Sequence, residues 1–157
     1  MRPTSDKVRA AVFSSLGDAA NGANFLDLFA GTGSVGIEAH SRGARHVTFV
    51  EKYADTLRRN LDILPKSAYT LVCSDIFKSG LAGGPFDIIY ADPPYGSYKP
   101  EKVLIWINKQ KLLAENGVIV YEESVRTQAE RERMPFVFIK ERRYGDTLIL
   151  YFEHKGE

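Results

Sequence analysis

The sequence contains one cysteine, three histidines and almost no net charge, and each shortage excludes a class of protein. Cys73 cannot form an internal disulfide, and no Cys or His cluster has the spacing of a zinc site. The formal net charge of +1 gives no overall attraction to nucleic acid, so such binding must come from local patches. No apolar run could span a bilayer, and no basic segment precedes an apolar one at Met1. We therefore expect a cytoplasmic protein with no membrane contact and no metal.

The chain does contain enough apolar sequence to build a core. Hydrophobic residues make up 44% and charged residues 26% of its 157 residues, which is ordinary for a globular protein of one domain. We predict a single domain over residues 1–157, with residues 1–17 forming an N-terminal helix packed on it. Basic residues form two patches, Arg42, Arg45, Arg58 and Arg59 in the first half and Arg126, Arg131, Arg133, Lys140, Arg142 and Arg143 near the C-terminus. Each patch is either a nucleic-acid contact or a solvated face balanced by nearby glutamates.

Segments typical of strands and helices alternate along most of the chain. Apolar runs rich in β-branched and aromatic residues predict strands at residues 25–29, 46–50, 69–74, 86–91 and 117–122. Apolar residues at helical spacing predict helices at residues 6–16, 34–41, 53–64 and 101–113. Because the strands are nearly continuous apolar runs, both faces of the sheet should be covered and the sheet should be mostly parallel.

The C-terminal end departs from this alternation. Residues 126–133 are predicted to form a polar helix, and two strands at residues 136–141 and 147–152 flank Tyr144-Gly145-Asp146. Consecutive strands without a crossover must be antiparallel, so these two should form a hairpin. The pattern as a whole predicts an α/β fold.

A glycine-rich segment, Gly31-Thr32-Gly33-Ser34-Val35-Gly36, follows the first strand and opens a helix. It matches the nucleotide-binding pattern G-x-G-x-x-G. Glu51 ends the second strand about 20 residues later, where an acidic side chain can bind ribose hydroxyls. NAD and S-adenosylmethionine both carry an adenosine, so the segment alone does not choose between them.

Two aspartates near other strand ends bear on that choice. Asp27 lies near the end of the first strand, where its carboxylate would repel the pyrophosphate of NAD. S-adenosylmethionine has no phosphate and carries a cationic amino group and a sulfonium, so the charge favours it; a capping carboxylate is the structural alternative. Asp75 follows the third strand, where it could accept from the adenine amino group while Ile76 packs against the ring; the alternative is a turn residue.

Asp92-Pro93-Pro94-Tyr95 follows the predicted strand at residues 86–91. A proline offers only its carbonyl, and a residue before proline is driven toward extended geometry, so the segment is stiff and rich in acceptors. The Asp92 carboxylate is a further acceptor, and Tyr95 supplies an aromatic face. The tetrapeptide therefore predicts a site for a planar amino group, the alternative being a turn that ends the strand.

In their order along the chain, these motifs resemble the amino-methylating branch of class I S-adenosylmethionine-dependent methyltransferases, in which [D/N]-P-P-[Y/F/W] binds the target nitrogen. Residues 2–13 resemble the R-P-T-x-D-x-V-R-E-A-x-F opening of the RsmD family, which methylates guanine N2 in small-subunit ribosomal RNA. Residues 27–33 and 143–147 resemble that family too. Ala10 stands where the family usually has Glu. The sequence begins at Met1, one residue before R-P-T, where members of the family commonly carry a basic segment.

The resemblance implies a Rossmann-like class I methyltransferase fold, with a mostly parallel seven-stranded sheet, helices on both faces and a C-terminal antiparallel hairpin. It implies S-adenosylmethionine as cofactor, S-adenosylhomocysteine as product, and ribosomal RNA or the small ribosomal subunit as partner of a monomeric enzyme. The expected cofactor-binding residues are Asp27, Phe29, Gly31, Thr32, Gly33, Gly36, Glu51, Lys52, Asp75 and Ile76. The expected catalytic residues are Asp92, Pro93, Pro94 and Tyr95, and the hypothetical RNA contacts are Arg2, Arg9 and Arg143.

Three other functions share part of this pattern. A DNA adenine or cytosine amino-methyltransferase has the same acceptor motif but usually needs an added target-recognition domain. A catalytically idle cofactor-binding module could act as a ribosomal partner, although the intact motifs argue against decay. A dinucleotide oxidoreductase would fit the glycine segment alone, but His40, His46 and His154 look like surface or edge residues.

Overall fold

The computed structural model of the chain describes residues 5–94, 99–124 and 134–155. The helices are α1 (Asp6–Leu16), α2 (Ser34–Ser41), α3 (Asp55–Leu61) and α4 (Pro100–Lys109). The strands are β1 (Asn24–Leu28), β2 (His46–Val50), β3 (Tyr69–Val72), β4 (Phe86–Ala91), β5 (Leu113–Ser124), β6 (Val137–Tyr144) and β7 (Thr147–Glu153). Short 3-10 turns cover Gly17–Ala20, Lys66–Ala68 and Ile76–Lys78.

The strands form one seven-stranded sheet in the order β3-β2-β1-β4-β5-β7-β6. Strands β1 to β5 are parallel, and β7 runs antiparallel to both β5 and β6. The order reverses between β1 and β4, and ligands of such sheets bind outside the carboxyl ends of the strands at that point. The predicted α/β fold, with its mostly parallel sheet and antiparallel C-terminal hairpin, is confirmed.

Apolar side chains cover both faces of the sheet. Successive residues of β1 point to opposite faces, so Phe25 joins a core with α1, α2 and α3, whereas Leu26 joins a core with α4. Phe13 of α1 is 0% exposed and stacks on Phe25, with ring centroids 6.2 Å apart. Burying a side chain of this size stabilises the fold by about 1.5–3 kcal/mol.

The register between β4 and β5 contains a long irregularity that moves one predicted boundary. Phe86 pairs with Leu113, but the next pair is Ile88 with Val118, so residues 114–117 leave the ladder. The predicted helix at residues 101–113 ends instead at Lys109, and Lys111 adopts a left-handed φ of 54° that cannot continue it. Strand β5 accordingly begins before the predicted residue 117.

Polar caps shorten two other predicted elements. The helix predicted from Tyr53 begins at Asp55, because the Tyr53 N–H donates to the Glu51 carboxylate at 3.1 Å and holds a turn there. The strand predicted to reach residue 74 ends at Val72, and Asp75 caps the following turn. The helix predicted at residues 126–133 lies outside the described residues. Within the described ranges no helix is long and apolar enough to cross a membrane.

Candidate active site

Four neighbouring strands end at the same edge of the sheet and bring most of the predicted site residues together. The glycine segment follows β1, Glu51 follows β2, Asp75 lies just beyond β3 and Asp92 follows β4. The turn between β6 and β7 lies at this edge too, because Ser124 pairs with Thr147. These residues come from four separate segments of the chain and meet only through the strand order.

The backbone that follows β1 has an unusual conformation. Gly31 and Gly33 have φ angles of 59° and 84°, values that glycine adopts without steric cost. Phe29 also has a positive φ, 56°, which is an outlier for a bulky residue. Such conformations persist where the surrounding structure imposes them, and they cluster at ligand-binding sites.

Gly33 and Gly36 lie where the loop and α2 approach other elements closely. A Cβ at Gly33 would lie 2.5 Å from Cδ1 of Leu57, and one at Gly36 would lie 2.3 Å from Cε1 of Phe49. Gly36 therefore allows α2 to pack tightly on β2. Gly36 thus has an observed packing role, and its contact with the cofactor stays a prediction.

Asn60 of α3 supports the loop and was missed by the sequence reasoning. Its Nδ2 donates to the carbonyl oxygen of Thr32 at 2.8 Å. The sequence did contain one signal for this role. Asn60 lies inside a predicted helix, where an amide side chain is unfavourable unless it forms a hydrogen bond elsewhere. The bond fixes the predicted cofactor residue Thr32 from outside its own segment.

The Asp27 carboxylate is buried below the glycine segment. Its side chain is 2% exposed, and Oδ2 accepts from the Gly36 N–H at 3.0 Å. Burial raises the pKa of Asp27 well above its usual value, the Gly36 hydrogen bond opposes that rise, and the neighbouring Glu51 carboxylate adds to it. Two acidic groups therefore face each other at the ends of β1 and β2, an arrangement that a cation would stabilise and a phosphate would not.

Glu51 joins the ends of β1 and β2. Oε1 accepts from the Gly31 N–H at 2.8 Å and Oε2 accepts from the Tyr53 N–H at 3.1 Å. A carboxylate has about four lone-pair sites, so these bonds leave acceptor capacity for ribose hydroxyls. That ribose contact stays a prediction. Cofactor binding by Lys52, whose Nζ lies 5.5 Å from the centre of the Tyr53 ring, stays one too.

Asp75 and Ile76 have structural roles at the end of β3. Asp75 Oδ1 accepts from the Phe77 N–H at 2.9 Å and caps the short turn that begins at Ile76. Ile76 is 2% exposed and belongs to the core on the α4 side. Asp75 therefore caps a turn, which was the structural alternative for this residue. The adenine contacts of Asp75 and Ile76 stay predictions.

The acceptor motif emerges beside the glycine segment. Ala91, the last residue of β4, pairs with Leu28 of β1 on one side and with Tyr121 of β5 on the other. Asp92, Pro93 and Pro94 follow it and are partly exposed, whereas Tyr95 lies outside the described residues. The segment predicted to bind the methyl donor and the segment predicted to bind the amino group thus leave the sheet from adjacent strands.

The described RNA candidates have partners within the protein. Arg9 pairs with Asp6 at 3.1 Å and with Glu38 at 3.6 Å. Arg143 Nε donates to the carbonyl oxygen of Gly145 at 3.0 Å, in the turn at the site edge. Arg2 lies outside the described residues. Phosphate contacts by these arginines stay predictions, and Arg143 is placed best for one.

The first basic patch lies partly away from the site. Arg42 follows α2 at the opposite edge of the sheet, where it pairs with Glu38 at 2.9 Å and lies 5.2 Å from the centre of the Phe13 ring. Arg45 precedes β2 at that same edge. In the part of the chain that the structure describes, no group of His, Cys, Asp or Glu residues is arranged to hold a metal ion.

Comparison with known proteins identifies the family. The family model described as "Conserved hypothetical protein 95" matches residues 1–153. The chain belongs to this family, the RsmD family of methyltransferases. YlbH of Bacillus subtilis is 32% identical over 99% of this chain and 89% of its own length. "Ribosomal RNA small subunit methyltransferase D" of Escherichia coli is 34% identical over 80% of this chain and 65% of its own length.

Two solved structures share the fold over nearly the whole chain. The yhhF protein of Escherichia coli is 28% identical, with a TM-score of 0.85 over 98% of this chain and 88% of that one. A conserved protein of Streptococcus pyogenes is 28% identical, with a TM-score of 0.84 over 94% of this chain and 95% of that one. The resemblance seen in the sequence motifs is therefore confirmed over nearly the whole chain.

Proposed function

We propose that this RsmD-family protein transfers a methyl group from S-adenosylmethionine to the N2 amino group of a guanine in small-subunit ribosomal RNA. The observation that carries the proposal is the pairing of Leu28 with Ala91. It brings the glycine segment and Asp92 out of the sheet side by side. The relatives named as small-subunit methyltransferases support the choice of RNA.

The charge of the crevice supports the choice of cofactor. Asp27 and Glu51 place two carboxyl groups at the ends of β1 and β2. The cationic amino group and sulfonium of S-adenosylmethionine would stabilise the ionised form of Asp27 and oppose the rise in its pKa, whereas the pyrophosphate of NAD would add to that rise. The glycine segment allows close backbone approach to the ligand, and Glu51 would accept from ribose hydroxyls. When bound, the cofactor supplies an electrophilic methyl group on a sulfur that leaves readily.

Asp92 and Pro93 would prepare the amino nitrogen for attack. The nitrogen lone pair of guanine N2 is delocalised into the ring, so the nitrogen is a poor nucleophile. When the Asp92 carboxylate and the Pro93 carbonyl accept its two protons, they favour a pyramidal nitrogen with a localised lone pair. Asp92 would then accept the proton that the nitrogen loses when it takes up the methyl group that the cofactor would supply. Positioning should dominate the rate.

Tyr95 would hold the base during this transfer. Stacking of an aromatic side chain on an unpaired base contributes about 1–3 kcal/mol in single-stranded nucleic-acid sites. The target guanine must therefore be unpaired or flipped out of a helix before it reaches Asp92.

The test is methylation of small ribosomal subunits with labelled S-adenosylmethionine, followed by nucleoside mass spectrometry. We expect N2-methylguanosine from the wild type and no product from Asp92→Ala, because the variant lacks the carboxylate acceptor. Calorimetry should detect S-adenosylhomocysteine binding to both proteins and no NADH binding. Asp62→Ala, which alters an exposed aspartate after α3, is the control and should keep full activity.

Each contrary result points elsewhere. Methylated adenine or cytosine in DNA would assign the protein to the amino-methyltransferases of DNA. Tight NADH binding would reverse the choice of cofactor, and wild-type turnover by Asp92→Ala would remove Asp92 from the mechanism.

A further inference from the structure

Tyr121 lies on β5 beside the residue that immediately precedes the acceptor motif. Its Cα pairs with that of Ala91, and its side chain is 1% exposed in the core on the α4 side. The hydroxyl oxygen is buried and makes no hydrogen bond within residues 5–94, 99–124 and 134–155. A buried hydroxyl without a bond is costly, so its retention calls for a physical reason.

Three carboxylates act electrostatically on this hydroxyl, each from a different segment of the chain. Glu123 lies two residues further on the same face of β5, Asp92 follows β4, and Glu101 lies in the first turn of α4. Burial raises the pKa of the Tyr121 phenol, and Glu123, Asp92 and Glu101 raise it further, in that order of effect. The phenol therefore stays protonated at physiological pH and is available as a donor to a carboxylate.

Tyr90 provides a contrast on the neighbouring strand. It is 2% exposed, faces the opposite side of the sheet and donates to Oε2 of Glu122 at 2.5 Å. At this end of the sheet, one buried tyrosine hydroxyl therefore has a carboxylate as its hydrogen-bond acceptor. The equally buried Tyr121 differs, because its hydroxyl has no hydrogen-bond partner among the residues that the structure describes.

We propose that Tyr121 is a positioning residue of the methyl-acceptor site, and that its hydroxyl donates a hydrogen bond to the Asp92 carboxylate once the amino group of the base is bound. This inference rests on the proposed amino-methyl transfer at Asp92. Hydrogen bonds at active sites are often long or poorly aligned without substrate and tighten in the complex.

Of the three carboxylates, Asp92 is the one that belongs to the acceptor motif. The backbone of Glu123 lies within the β5 ladder, where Glu123 pairs with Leu148. Asp92 follows Ala91, the last paired residue of β4, so the ladder does not set its backbone position. With one carboxylate oxygen bonded to Tyr121, the plane of Asp92 is fixed and the other oxygen is directed to the amino proton.

The first test is Tyr121→Phe, assayed on small ribosomal subunits. We expect kcat to fall about tenfold, the effect of one hydrogen bond made in the transition state. KM for S-adenosylmethionine and affinity for S-adenosylhomocysteine should stay unchanged. The thermal midpoint should not fall, since the free protein loses no bond from Tyr121. Tyr90→Phe is the matched control, with the midpoint lowered by loss of its bond to Glu122 and kcat kept within about twofold.

A double-mutant cycle identifies the partner of the phenol. Asp92→Asn keeps a carbonyl acceptor but removes the charge. Because this variant should be slow, its rate of methyl transfer is measured under single-turnover conditions. In that background Tyr121→Phe should change the rate by less than about twofold, whereas in a Glu123→Gln background the tenfold loss should remain.

The inference fails if Tyr121→Phe has wild-type kcat, if its loss persists in the Asp92→Asn background, or if Glu123→Gln abolishes that loss. These outcomes differ from failure of the proposed function, in which the wild type itself yields no N2-methylguanosine.

Discussion

Gly36→Ala tests whether close packing of α2 on β2 holds the site together. The new Cβ would lie 2.3 Å and 2.7 Å from two ring carbons of Phe49 and 2.9 Å from Cγ1 of Val47. Phe49 and Val47 are both 0% exposed, so neither can move aside into solvent. The helix must therefore shift away from the sheet, and the Gly36 N–H with it.

The magnitude follows from two opposing effects. Overpacking of a buried site costs about 1–3 kcal/mol, and three contacts shorter than 3.0 Å place this site at the upper end. Alanine is favoured over glycine within a helix by about 1 kcal/mol. We expect the free energy of unfolding to fall by about 2 kcal/mol, which for a chain of this size lowers the thermal midpoint by about 4–8 °C.

The assay is urea unfolding followed by circular dichroism, with S-adenosylhomocysteine affinity measured by calorimetry. Affinity should fall because the Gly36 N–H positions Asp27. Ser41→Ala, at an exposed position of α2, is the control for helix propensity and should leave stability and affinity almost unchanged. A Gly36→Ala protein as stable as the wild type would refute the packing argument.

Two further predictions concern charge. The folded-state pKa of Asp27 is raised, so its ionised form destabilises the fold. Wild-type stability should therefore increase relative to Asp27→Asn as pH falls through the folded-state pKa toward the ordinary pKa of an aspartate. Urea unfolding over a pH series checks this, and parallel curves would contradict it. Arg143→Gln should reduce the salt dependence of RNA affinity by about one unit of slope, whereas Arg45→Gln at the opposite edge should not. Equal slopes for both variants would remove Arg143 from the RNA contacts.

Much of the fold was predictable from local patterns. Strands β1 to β4 lie within one or two residues of their predicted positions, because both faces of a parallel sheet are buried and its strands are unbroken apolar runs. The start of β5 was not predictable. Leu113 continues the helical spacing of α4 in the sequence, but in the structure it pairs with Phe86.

The positions of the candidate site residues at the sheet edge were predictable, but the hydrogen bonds that connect them were not. The glycine segment, Glu51 and Asp92 all lie at the expected edge of the sheet. The bond from Asn60 to Thr32 has no counterpart in the local sequence, since it joins residues 28 positions apart. Glu51 was expected to bind ribose, and its bonds to Gly31 and Tyr53 became apparent only from the structure.

The sequence by itself determined the alternation of strands and helices, the glycine segment after β1 and the stiff acceptor motif after β4. Each depends on residues adjacent in the chain, whose backbone preferences and apolar spacing act locally. Only the tertiary structure decided that β1 and β4 are neighbours, and that Tyr121 lies buried on β5 beside Ala91. Strand order and register fix those distances, because they are set by packing of the whole sheet.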